Sequence, residues 1–158
     1  MKDNTQLHGV IVGRVDSNDY YKELIALIDQ HQLQSQIQFI EESFDMPQLY
    51  AMADITLSTS RKAEAFGRVA VEGQAMQSLV IATDLGAAKE TVLPDKTGFL
   101  VAPDDPQALA NVIKHVISLD TSATHQLQQQ ARERVLSTFN KDIMLEKTLA
   151  TYDNVLRR

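Results

Sequence analysis

Five short runs of β-branched and apolar residues recur along this chain, most of them followed by a longer stretch with helical spacing, and that alternation leaves few folds open. The runs are Gly9 to Val12, Ile37 to Ile40, Asp54 to Ser58, Leu79 to Thr83 and Gly98 to Val101. Strands that alternate with helices pair in parallel, because a parallel neighbour is reached through a crossover and not a tight turn. The expected class is α/β, with helices on both faces of a mainly parallel sheet. The runs mostly lack polar alternation, so they are expected to be central strands covered on both sides.

The helical stretches carry their own signals. Tyr21, Leu24, Ile25 and Ile28 recur at helical spacing and predict a helix from about Asn18 to Gln32. Asp105 followed by Pro106 reads as an N-cap and a first-turn proline, and Leu109, Val112, Ile113, Val116 and Ile117 form the stripe expected to be buried. Two tail patterns, Leu127-Ala131-Val135 and Leu145-Leu149-Tyr152-Leu156, are expected to be packing faces. Glycine and proline occur singly at the seams and no linker or repeat interrupts the chain, so its 158 residues are expected to form one domain.

Composition narrows function by exclusion. With no cysteine, the chain has no disulfide, thiolate metal site or cysteine nucleophile. A formal charge of -6 without a Lys/Arg cluster argues against nucleic acid as a partner. His8, His31, His115 and His125 show no ligand spacing, so no metal is expected. No apolar run approaches the ~20 residues that span a bilayer, and a cytoplasmic location is expected.

In open parallel sheets, ligands bind at the carboxyl ends of the strands, which directs attention to the loops after Val12, Ile40, Ser58 and Thr83. The loop after Ser58 is the most informative. It runs Ser58-Thr59-Ser60-Arg61-Lys62-Ala63-Glu64-Ala65-Phe66-Gly67-Arg68-Val69-Ala70-Val71-Glu72, and a helix is expected to begin near Phe66. The free N–H groups of that helix would form an anion site that Gly67 leaves open and Arg68 reinforces. Glu64 lies before the helix and Glu72 inside it, and either carboxylate suits vicinal hydroxyls. On spacing alone the two glutamates read rather as surface carboxylates, one near a helix start and one solvated. Arg61 and Lys62 read as an exposed loop pair and are left out of the site.

A longer train of segments changes the balance. Glu64-Ala65-Phe66-Gly67, Glu72, Val80 to Asp84, Gly86-Ala87, Glu90-Thr91-Val92, Thr97 to Val101 and Pro103-Asp104 closely resemble, in order and spacing, the carboxyl-terminal half of the family-four retaining glycosyltransferases of GT-B fold. Asp45-Met46-Pro47 to Tyr50, Ala53-Asp54, and Val12-Gly13 leading to Tyr21 and Glu23-Leu24 resemble it upstream. The resemblance implies a Rossmann-like, three-layer donor-binding domain, one half of a GT-B fold.

It also implies roles. Glu72 resembles the glutamate that binds the ribose hydroxyls of the donor, and Glu64 the one beside the transferred sugar, so Glu64 is the catalytic candidate. The backbone at Phe66, Gly67, Arg68 and Val69 is similar to the diphosphate cradle. Gly13 would admit the nucleotide closely, and Glu41, opening the Glu41-Glu42 loop, resembles the segment that meets the base. The reaction implied is transfer of a hexose-type sugar with retention, from a UDP- or GDP-sugar to a glycan or lipid-linked acceptor, with no metal or other cofactor. The acceptor domain, and an earlier strand and loop with an arginine and a lysine that hold the diphosphate, are expected to lie outside this sequence. The chain alone is therefore expected to be a poor catalyst, and any contact with the inner face of a membrane would belong to the absent domain. Polysaccharide or lipopolysaccharide assembly is the implied setting.

Three departures from the family pattern stand out. Gln77 replaces a usual glycine at a helix end, where it would either adopt the left-handed conformation at a cost of about 1 kcal/mol or end the helix differently. Gly73 replaces a usual alanine inside the helix, at a similar ~1 kcal/mol. Ala87 replaces a second glycine in the loop near the sugar, where it would alter the backbone's approach to the donor.

Rival readings fit less well. The turn Gly13-Arg14-Val15-Asp16 is not the dehydrogenase fingerprint Gly-x-Gly-x-x-Gly, and no P-loop is present. A glycosidase would need its two carboxylates facing one bond, and Glu72 lies too far along its helix. A non-catalytic nucleotide-sugar-binding module and a nucleotide-sugar epimerase-like domain remain the alternatives.

Overall fold

The computed structural model describes residues 6–41 and 45–157. The chain divides into two compact units, Met1–Met46 and Pro47–Arg158. In the first, β1 (Gly9–Val12) pairs in parallel with β2 (Ile37–Ile40), Gly9 opposite Ile37 and Val12 opposite Ile40. The crossover between them is α1 (Asn18–Gln30), started by Ser17, whose Oγ accepts from the Tyr20 N–H at 3.3 Å. Tyr21 on α1 meets Phe39 on β2 edge to face, with ring centroids 5.1 Å apart.

The second unit holds a three-stranded parallel sheet in the order β3 (Ile55–Ser58), β4 (Leu79–Thr83), β5 (Phe99–Val101). Its helices are α2 (Met46–Met52, starting at the unit boundary), α3 (Arg68–Ala75), α4 (Ala88–Thr91), α5 (Pro106–Ile117), α6 (Thr121–Thr138) and α7 (Lys141–Leu156). All five strands fall within a residue of the sequence expectation, and α1 ends two residues early.

β4 is the structural axis of this unit because alternate residues feed two cores. Leu79 and Ile81 join Phe99, Val101 and Val116, with Leu109, Val112 and Ile113 of α5 packed on them. Val80 and Ala82 join Ala70 of α3 and Val92 after α4. Every β4 residue is buried, as a strand covered on both faces must be. The other strands depart from that expectation. In β1, Val10 and Ile11 are 52% and 41% exposed, and Leu57 in β3, which has a partner on one side only within its sheet, is 45% exposed.

Of the α5 stripe, Val116 is buried and Leu109, Val112 and Ile113 are partly buried against the same core, whereas Ile117 is exposed one step round the helix. In α6, Ala131 and Val135 are buried as expected. The last stripe is a correction: Leu145, Leu149, Tyr152 and Leu156 are all exposed, and no residue of α7 is buried. Periodicity reports an amphipathic face and says nothing about what covers it.

Two helices end on a left-handed glutamine. After α3, Gln77 has φ 63°, its N–H bonds to Gln74 O at 3.1 Å and the Ser78 N–H reaches Gly73 O at 3.0 Å. After α1, Gln32 has φ 55° and the same pair of bonds runs from Gln32 to Asp29 and from Leu33 to Ile28. Both are Schellman closures, in which glycine avoids the Cβ penalty. Gln77→Gly and Gln32→Gly should each stabilise the chain by about 1 kcal/mol. Urea unfolding checks this, and an unchanged midpoint in both variants would show that the bonds already offset the strain.

Gly73 proves to have a packing role. A Cβ there would lie 3.0 Å from both Cβ and Cγ2 of Thr56, so α3 approaches β3 too closely for alanine without movement. The helix cost of glycine is thus exchanged for contact between α3 and the sheet.

Candidate functional site

The α3 N-terminus lies at the carboxyl ends of β3 and β4. A recess there is lined by Ser58, Ser60, Lys62, Glu64, Gly67 and Thr83, among others. Its enclosed space is about 10 Å³, room for roughly one water, so a larger ligand would lie across its mouth. A larger cavity of about 260 Å³, lined by Asp95, Phe99, His115 and Leu119 among others, lies toward the amino end of β5 and contains none of the expected site residues.

Gly67 is the N-cap of α3, with φ 77° and ψ 58°, so the helix proper starts at Arg68, slightly later than expected. No side chain caps it. The first-turn N–H groups therefore remain an open, positively polarised end. A Cβ at Gly67 would lie 3.8 Å from Glu64 Oε2, which places that carboxylate beside the helix start.

Glu64 is held on two sides. Ser60 Oγ donates to Glu64 Oε1, and the Ala87 N–H donates to the Glu64 carbonyl at 3.1 Å. The second contact requires Gly86, which has φ 55° and on which a Cβ would fall 2.6 Å from Glu64 O and 2.9 Å from Glu64 N. Ala87 itself has φ -73° and ψ -4°, a conformation alanine adopts freely. The expected second glycine is not needed at that position, because the close approach is made by Gly86.

Glu72 lies four residues into α3, about 6 Å along the axis from Arg68. Arg68 donates to Glu72 Oε1 from Nε at 3.0 Å and Nη2 at 2.7 Å, and Tyr50 Oη donates to Oε2 at 3.1 Å. Burial, with Glu72 adding its charge and acceptor oxygen, pushes the Tyr50 hydroxyl up to about 12 against a small opposing effect of Arg68. Tyr50 therefore remains a hydrogen-bond donor at physiological pH and fixes the carboxylate's orientation. The Arg68 pair is exposed, and such pairs contribute about 0–1 kcal/mol, so this arginine is easily released.

The expected residues thus fall into three groups. Glu64, Gly67 and the open turn at Arg68 and Val69 come together, with Glu72 one turn on. Phe66 supplies backbone only, because its ring turns toward α6 and meets Phe139 edge to face at 5.6 Å. Gly13 and Glu41 belong to the other unit. Among the described residues no atom lies within 4 Å of a Cβ built on Gly13, and Glu41 is exposed at the end of β2. Glu42 lies outside the described residues.

One residue was not foreseen: Tyr50 is separated from Glu72 by 22 positions, and no local spacing pairs the two. Arg61 and Lys62 are both exposed, as expected; Arg61 pairs with Asp104, while Lys62 lines the recess. Among the described residues, no group of His, Asp or Glu is arranged to hold a metal.

The glycosyl transferases group 1 family matches residues 1–134. This chain belongs to that family. It is 34% identical over 94 residues to a capsular polysaccharide biosynthesis glycosyltransferase, CapM, from Staphylococcus aureus, covering 60% of this chain and 24% of that protein. The Anabaena protein HepE, solved in complex with UDP-glucose, matches with a TM-score of 0.90 and 31% identity over 96% of this chain and 42% of that one. A solved C-terminal domain of a group 1 family protein from Francisella tularensis matches with a TM-score of 0.72 and 26% identity, covering 85% of this chain and 87% of the domain. The architecture is the Rossmann-like α/β type of a GT-B glycosyltransferase, and the chain corresponds to its carboxyl-terminal half. It spans less than a third of the length of the curated relatives that it matches. No helix among the described residues is long and apolar enough to cross a membrane.

Proposed function

We propose that the 158 residues form one donor-binding domain of a retaining glycosyltransferase, which moves a hexose-type sugar from a UDP- or GDP-sugar to a glycan or lipid-linked acceptor. The acceptor would be held by a further domain, without which this chain would transfer sugar poorly, at the cytoplasmic side of a membrane. Capsule assembly in CapM and the UDP-glucose complex of HepE support this setting and this donor class.

The observation that carries the reading is the uncapped start of α3 at Gly67, with Glu64 beside it and Glu72 one turn inside. On this reading the diphosphate lies against the N–H groups of Gly67, Arg68 and Val69, and the helix end stabilises charge as the diphosphate leaves. Glu64 orients the sugar hydroxyls. Glu72, held by Tyr50, takes the ribose hydroxyls. No metal is required, because the helix end and cationic side chains serve the leaving group.

Calorimetric titration with UDP, GDP and their glucose and mannose conjugates tests the reading. Binding of one base in preference to the other is expected, at millimolar affinity or better, about -4 kcal/mol. If all four ligands leave the chain unbound at millimolar concentrations, it has no donor site of its own.

A further inference from the structure

Three cations flank the recess in sequence, and the fold treats them differently. Arg61 pairs with Asp104 in the loop before α5, and Arg68 pairs with Glu72 along α3. Lys62 lines the recess and forms no ion pair among the described residues. Its position is defined by its neighbours, since Ser60 bonds to Glu64 two residues beyond it and Arg61 ties the preceding residue to the β5–α5 loop.

The recess also has an electrostatic problem. Among the described residues Glu64 is its only acidic lining residue, and it stands beside the helix start, where a dianionic group would meet like charge. A helix end supplies roughly half an elementary charge, too little to offset a carboxylate. A positive charge on the same wall would offset it, and among the described residues Lys62 is the only cation that lines the recess.

We propose that Lys62 is a diphosphate-contacting residue, whose ammonium group offsets Glu64 and binds the bridging and terminal phosphate oxygens of the donor. The inference deepens the donor-binding reading and rests on it. It puts Lys62 first in the role that sequence reasoning gave to Arg68, which must leave its exposed pair with Glu72 to reach a phosphate.

The test compares the wild-type chain with Lys62→Met, Lys62→Arg and Arg68→Met, each titrated with the preferred nucleoside diphosphate and with its parent nucleoside at two salt concentrations. Lys62→Met should weaken the diphosphate about tenfold, the scale of one charge-assisted hydrogen bond, and flatten its salt dependence. Nucleoside affinity should be unchanged, Lys62→Arg should restore most of the loss, and Arg68→Met should have a smaller effect. Equal diphosphate affinity in wild type and Lys62→Met would overturn the role of Lys62 and leave the donor site standing. Equal losses for diphosphate and nucleoside would also overturn it, by showing a general disturbance. A wild-type chain that binds neither UDP nor GDP would overturn the donor reading and this inference together.

Discussion

Gly86→Ala is expected to destabilise the chain by about 2–4 kcal/mol and to displace Glu64, an unusually large effect for one methyl group. Two costs add. At φ 55° a Cβ meets the following carbonyl, which costs about 1–2 kcal/mol in the left-handed region. The same Cβ would stand 2.6 Å from Glu64 O and 2.9 Å from Glu64 N. Those atoms are backbone, so no rotamer change relieves the clash, and overpacking of this kind costs about 1–3 kcal/mol.

Relief must come from parting the 84–87 loop from Glu64, which breaks the Ala87 N–H bond to the Glu64 carbonyl. A fall in melting temperature of roughly 5–15 °C is therefore expected, together with weaker binding of sugar-bearing donors. The control is Ala87→Gly. Ala87 has φ -73°, so that substitution should cost no more than about 1 kcal/mol of backbone entropy. If the two variants lose the same small amount, the close approach of Gly86 to Glu64 is not what holds this loop.

The contrast between Gly86 and Ala87 shows what sequence makes legible. A Gly-Ala pair marked a loop near the ligand, but which of the two had to be glycine depended on the backbone of Glu64, 22 residues earlier. Gly73 is similar, since its lack of a Cβ is explained by Thr56 on a different element. Patterns within one element read well. β4 was expected as a strand buried on both faces, and alternate side chains do enter two cores. Asp105-Pro106 was expected to start a helix, and Asp105 accepts from the Ala108 N–H at 2.8 Å. The α7 stripe failed because an apolar face has no partner written into it. Tyr50 was not foreseen for a related reason: a tyrosine 22 positions from its carboxylate carries no local signal.

The site itself was legible to the extent that it is local. Glu64, Gly67 and the first turn of α3 lie within a few residues, and the helix end forces them together. Arg68 was legible as a nearby charge but not as a partner for Glu72, although their separation of four residues is favourable for an ion pair on a helix. Gly13 and Glu41 belong to a different unit, and the contact with a nucleotide expected of them rests on the family resemblance.

The two carboxylates should separate cleanly when each is removed and two ligands are compared, the preferred nucleoside diphosphate and its sugar conjugate. Glu72→Ala should weaken both ligands to the same degree, by about tenfold to a hundredfold, because ribose hydroxyls are common to both and each hydrogen bond to a carboxylate contributes about 1.5–3 kcal/mol. Glu64→Ala should weaken only the conjugate. The free diphosphate should bind as well or better, since a negative charge beside the phosphate site is gone. Glu72→Ala also leaves the Tyr50 hydroxyl without its acceptor, at a cost of about 1–3 kcal/mol, so Glu72→Gln is the companion variant that keeps an acceptor for Tyr50. If Glu64→Ala weakened the free diphosphate as much as the conjugate, Glu64 would not be reading the sugar. If Glu72→Ala spared the free diphosphate, the ribose would have to be held elsewhere, and the proposed direction of the donor along α3 would be reversed.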